Sequence, residues 1–197
     1  VTAMAQWKEH KRLKLKEHNR WYSKPGNRIF VSNMGAVRFE YPAEWVVLPG
    51  ENGSILFHDR EPPDHHAILQ VSHWELLTDA PRPVPMTVDW TGLPLLPLFV
   101  HSTSGVPDEG RDLKSEGPIR ELIRPGLEAI WNDRLMFDRE DQKDVVSRTC
   151  LARGANVTTL LSYDFFADEQ VRFQPVWEDV FGTLVLGQYI KDPTTGF

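Results

Sequence analysis

Val145-Val146-Ser147-Arg148-Thr149-Cys150-Leu151-Ala152-Arg153 and Asn156-Val157-Thr158-Thr159-Leu160-Leu161-Ser162-Tyr163-Asp164-Phe165-Phe166 face each other across Gly154. Both runs are rich in β-branched and apolar residues, the second also in aromatics, and a glycine at their junction permits a tight reversal. The pair reads as an antiparallel hairpin. Upstream, Leu127, Ala129, Trp131, Leu135 and Phe137 alternate onto one face of a third strand, with Asp133 the exception. Asp138 to Asp144 is the charged turn between them. Three consecutive strands without an intervening helix predict an antiparallel sheet rather than a doubly wound parallel one.

Downstream, Val176, Trp177, Val180, Phe181, Leu184 and Val185 recur at three- and four-residue spacing. That predicts a terminal helix with one apolar face, started by Pro175 and stopped by Gly187. Residues 191–197 read as a frayed tail. Toward the N-terminus, Ile29-Phe30-Val31 is a strand and Asn33-Met34-Gly35 a turn. Val37, Phe39 and Tyr41 then alternate with Arg38 and Glu40. Trp45 to Leu48 and Ser54 to His58 are paired strands around Asn52-Gly53, a strong hairpin signal. Pro62-Pro63 closes that region, and Ala67 to Leu77 is a longer strand.

Seven of the 15 prolines fall between residues 80 and 118. Proline excludes central strands, so this stretch predicts a largely irregular crossing segment with one short helix. Its apolar residues, Trp90, Leu93, Leu95, Leu96, Leu98 and Phe99, predict that it packs down. Residues 118–124 read as a further short helix opened by Pro118 and closed by Pro125-Gly126.

The chain has 197 residues, 22 Lys+Arg, 28 Asp+Glu and a net charge of −6. It suits one domain with a sizeable core. The charge is divided unevenly. Residues 1–30 hold eight basic and two acidic groups, +6, which leaves −12 on the remainder. The expected organisation is a basic arm over 1–27, helical over 5–20, then one α+β domain over 28–190 and a tail over 191–197. Lys11, Arg12, Lys14 and Lys16 are the arm's candidate binding residues. They fit a polyanion, or equally an acidic surface of the same or a neighbouring subunit. The acidic body argues against nucleic acid as its partner. One cysteine forms no internal disulfide, and Cys150 mid-strand reads as a buried structural thiol in a reduced, cytoplasmic compartment. No apolar run reaches the length of a bilayer span.

The segment Phe39-Glu40-Tyr41-Pro42-Ala43-Glu44-Trp45 resembles the F-x-Y-P-x-x-W segment of the PsbP-like superfamily. That group includes an extrinsic photosystem II subunit, the Mog-type Ran-binding proteins and many small bacterial proteins. The likeness extends weakly through Arg148 to Ala152 and ends at the terminal helix, covering roughly residues 28–186. It implies an α/β/α sandwich around a mainly antiparallel sheet, in a bacterial protein that binds partners rather than catalysing. No Ran-binding or photosystem-docking motif transfers residue by residue.

Chemistry-bearing constellations are few. His58, His65, His66 and His73, with Asp59 and Asp64, lie within sixteen residues. Imidazole and carboxylate ligate zinc, nickel or copper, so these four histidines are the candidate metal residues of a small metal-dependent enzyme. The alternative is a polar surface loop, and no H-E-x-x-H occurs. There is no G-x-S-x-G elbow, no phosphate-cradling glycine loop and no motif that implies a cofactor. Of the seven tryptophans, Trp45, Trp131 and Trp177 fit core positions, whereas Trp74 and Trp90 are candidates to line a binding groove. The expectation is therefore a non-catalytic protein-binding or assembly module, with a protein partner or a second copy of the chain as its ligand.

Overall fold

The computed structural model describes residues 12–75, 94–103 and 110–197. The hairpin around Gly154 forms β9 (Lys143–Gly154) and β10 (Val157–Phe166), registered from Gly154↔Val157 to Val145↔Phe166. β8 (Leu127–Asp138) continues the antiparallel sheet beside β9. On the far side of β10 lie β5 (Ala67–Glu75), β4 (Ile55–His58) and β3 (Val46–Pro49). The edge beyond β8 is shared by two short strands, β6 (Arg111–Glu116) and β7 (Arg120–Arg124). Between them Gly117 N–H still reaches Asp133 O at 2.7 Å, so the edge is interrupted rather than lost. A second, three-stranded antiparallel sheet is made by β1 (Asn27–Ser32), β2 (Val37–Pro42) and β11 (Val185–Leu186).

Two layers cover the large sheet. Its inner face packs on the small sheet and on α2 (Gln170–Thr183) through Phe30, Phe39, Trp45, Phe57, Tyr163 and Trp177, all buried. Its outer face takes α1 (Leu95–Thr103), where Phe99 sits on Ile130 and Leu151 with Leu160 alongside. This explains why neighbouring residues Ala129 and Ile130 are both buried: that part of β8 has no solvated face. The result is the α+β layered sandwich around an antiparallel sheet that the sequence predicts.

Several local expectations are corrected. The helix expected over 118–124 is strand β7. Its five residues pair with β8 from Leu127 to Trp131, whereas an isolated helix of that length is marginal. β6 was not foreseen; its sequence, Arg-Asp-Leu-Lys-Ser-Glu, carries no apolar alternation because an edge strand needs none. The terminal helix starts at Gln170, so Pro175 lies inside it. The carbonyl that proline cannot bond belongs to Val171, which is 92% exposed and open to water. The helix stops at Thr183, not Gly187, and Arg124 closes it by donating to the carbonyls of Phe181, Gly182 and Leu184.

The described part of the arm, from residue 12, is not helical. Lacking an apolar stripe, it lies extended against the tail. Lys16 N–H donates to Thr194 O (3.0 Å), Arg20 N–H to Thr195 O (2.8 Å) and Trp21 Nε1 to Pro193 O (2.7 Å). Arg20 covers the Phe197 ring, and Lys16 pairs with Asp192 at 2.7 Å. The tail is therefore hydrogen-bonded rather than frayed. Lys11 and Trp90 lie outside the described residues.

Candidate functional site

Of the candidate metal residues, His58, His65 and His66 stay near one end of the large sheet and His73 lies apart from them. His58 ends β4 and is buried to 4% exposure, with the His65 ring perpendicular to it at 4.7 Å. The Nδ1 atoms of both are buried without a hydrogen-bond partner among the described residues. His66 turns the other way and pairs with Glu169 at 2.6 Å. His73 lies near the opposite end of β5, its Nε2 beside Asn33 and Ser32. Among the described residues, no group of three or more His, Cys, Asp or Glu is placed to hold a metal ion.

What organises this end of the sheet is Asp59, which sequence reasoning had placed only as a ligand. Its side chain is fully buried. Oδ1 accepts the N–H groups of His66 (2.7 Å) and Ala67 (3.0 Å), and Oδ2 meets Arg60 (3.1 Å) and Arg172 (3.2 Å). The loop between β4 and β5 is thus pinned to the first turn of α2. Burial works to raise the Asp59 carboxyl, but the two amides and Arg60 outweigh it and hold it below the usual carboxylate range. His58 is pushed down, first by burial and then by the neighbouring His65, with Asp59 opposing.

Both shifts favour the folded state only when the pH is high enough. A lowered histidine contributes stability above its unfolded value of 6.5, and that contribution declines as pH falls below it. The lowered aspartate does the same below 3.8. Melting temperature is expected to drop between pH 7 and 5 in wild type, and to drop less in His58→Gln. Equal slopes for the two proteins would show that His58 is not the titrating group.

Farther across the outer face, a small cleft of about 40 Å³ is lined by His65, His66, Arg111, Asp138, Asp141 and Asp164, over Ile68, Val145 and Phe166. Arg111 crosses from β6 to bridge Asp138 (3.1 Å) and Asp164 (2.6 Å). Asp164 Oδ1 is buried without a hydrogen-bond partner among the described residues. Asp138 Oδ1 also accepts the N–H groups of Glu140 and Asp141. Burial works to raise the Asp138 carboxyl; those amides and Arg111 prevail and lower it. Three carboxylates against the Arg111 guanidinium and the Lys143 ammonium, which lies 4.3 Å from the centre of the Phe166 ring, leave the cleft with a small net negative charge.

Trp74 stands on this same outer face, since β5 alternates strictly: Ala67, Leu69 and Val71 are buried inward, whereas Trp74 is 53% exposed. The register puts Trp74, Thr158, Arg153, Glu128 and Ile123 in one row across five strands. Arg153 and Glu128 are paired at 2.5 Å in its middle, and Ile123 is exposed at its end. The row runs just beside the patch that α1 covers, with Gln70 and Ile68 continuing along β5 toward the cleft.

This architecture is that of the PsbP-like class. It superposes on cyanobacterial PsbP (CyanoP) from Synechocystis sp. PCC 6803 with a TM-score of 0.55, at 11% identity, over 83% of this chain and 94% of that one. The chain belongs to the Alr1449 family, whose model matches residues 28–190. The uncharacterized protein alr1449 of Nostoc sp. PCC 7120 is 38% identical over 185 residues, 93% of this chain and 90% of the relative. The Ran-binding protein Mog1p of Saccharomyces cerevisiae matches with a TM-score of 0.45 at 8% identity, over 81% of this chain and 95% of that one. Among the described residues, no helix is long and apolar enough to cross a membrane.

Proposed function

We propose that the protein is a non-catalytic binding module that docks a protein partner on the outer face of its large sheet, along β5 beside α1. The observation that carries this reading is Trp74. A tryptophan half-exposed on a strand whose inward residues are buried gives a large apolar contact at little cost in side-chain entropy, the usual character of an interface anchor. The Arg153–Glu128 pair and Thr158 beside it supply the polar surround such anchors have. The fold likeness supports a scaffold of this kind. The cytoplasm is the compartment this reading takes, in keeping with the single, buried and unpaired Cys150.

A photo-crosslinking phenylalanine analogue placed at Trp74 and expressed in the source organism is expected to capture one discrete protein. The same analogue at Val171, exposed on α2 on the other side of the sheet, is the control and is expected to capture none. Equal labelling patterns from the two positions would refute docking on this face.

A further inference from the structure

Trp74 and the acidic cleft lie on one face of one strand, and that alignment says what kind of partner the face fits. Ile68, which floors the cleft, and Trp74 are six positions apart on β5, roughly 20 Å at the rise of an extended strand. Between them the outward residues are Gln70, exposed, and Ser72, half-buried, both polar. At one end is an exposed indole. At the other is a recess of about 40 Å³, too small for a cofactor and of the size of a few heavy atoms. Its carboxylates are not equivalent. Asp138 is fully engaged by Arg111 and two backbone amides. Asp164 gives one oxygen to Arg111, and its Oδ1 has no hydrogen-bond partner among the described residues. Asp141 stands exposed at the rim. The charge complementary to this recess is a cation at the end of a narrow stem.

We propose that the docked segment is an extended peptide of the partner running along β5, with an apolar residue on Trp74 and a lysine or arginine, about six residues away, inserted between Asp141 and Asp164. The proposal rests on the docking reading above and adds the partner's chemistry to it. The free edge at β6 and β7 is a poorer place for such a segment. Its ladder is broken at Gly117 and bulged between Leu113 and Ser115, and Lys114 and Asp112 are tied to Asp144 and Arg139, features that discourage strand addition.

The test uses the full chain and a phage-displayed library of random twelve-residue peptides as the probe. Selected peptides are expected to share an apolar residue and a Lys or Arg at that spacing. By fluorescence polarisation of a selected, labelled peptide, Trp74→Ala is expected to weaken binding about thirtyfold, the scale of a hot-spot aromatic. Asp141→Asn, an isosteric substitution at an exposed position, is expected to weaken it several-fold, and Asp164→Asn more. Both effects should vanish when the peptide's basic residue is replaced by norleucine. Binding that depends on Trp74 but ignores Asp141 and Asp164 would overturn this inference and leave the docking reading standing. Peptides that bind independently of Trp74, or a library that yields no binder, would overturn both.

Discussion

Asp133→Ala is expected to lower the free energy of unfolding by about 3–5 kcal/mol, the largest loss we anticipate from removing a single polar side chain. The reason lies under α2. Arg148, in the middle of β9, has a side chain only 4% exposed. Asp133 on β8 holds it at two points, 2.5 Å to Nε and 2.8 Å to Nη2. Gln174 Oε1 accepts from Nη1 at 3.1 Å, and the guanidinium lies 5.0 Å from the Trp177 ring. Truncating the aspartate leaves a buried cation with one neutral acceptor, and a desolvated charge without its counter-ion costs far more than the pair ever contributes. Arg148→Met reverses the situation. It removes the buried charge, fills similar volume, and leaves Asp133 partly exposed and near Arg120 at 3.6 Å. Its loss should be much the smaller of the two. Urea denaturation of both variants decides the matter; equal losses would mean that burial of this charge is not what the pair guards against.

Phe57→Ala is expected to cost a comparable amount, about 3–5 kcal/mol, through a cavity rather than a charge. Phe57 is fully buried on β4. Its ring meets Phe30 and Tyr41 edge-on at 5.1 and 5.0 Å and Phe39 at 5.3 Å, all three on the small sheet. These contacts join the two sheets, so the void cannot be closed by moving one side chain. Thermal melting followed by near-ultraviolet circular dichroism should show a lowered midpoint with the aromatic signal weakened. Phe57→Leu, which restores most of the volume, should recover more than half of the loss. A small effect from alanine would show that the small sheet is held from elsewhere.

What could be read from residues alone was governed by range. The β9–β10 hairpin and β2 were legible because a period-two pattern is local and each strand carries its own buried face. The ends of α2 were not. Pro175 is a start signal in isolation, and only the exposure of Val171 in the folded chain makes an interior proline tolerable. β7 is hidden for a related reason: Pro118 and Pro125-Gly126 are short-range helix start and stop signals, and the pairing with β8 that overrides them is a tertiary fact. The same limit hid the cleft. Asp138 and Asp141 are separated from Asp164 in the sequence by the whole of β9, and they converge with it only once Val145 is registered with Phe166. Trp74 is legible because its indole falls outside the core patterns that Trp45, Trp131 and Trp177 fit. The histidines also stood out, but their nearness along the chain is undone by β5, which carries His73 away from the other three.

The clasp between arm and tail has a consequence for the order of folding. Lys16 and Asp192 are 176 positions apart, and their pairing closes almost the entire chain into a ring. A closure of that span gains nothing until the sheets between its ends have already brought them together, so its entropy is met last. The hairpins of the large sheet, with short loops and dense pairing, belong at the other end of the sequence of events. The clasp should also be the first contact to open in native-state hydrogen exchange. The amides of Lys16 and Arg20 would then report the fluctuations of the native protein, while those of β9 and β10 report its global unfolding.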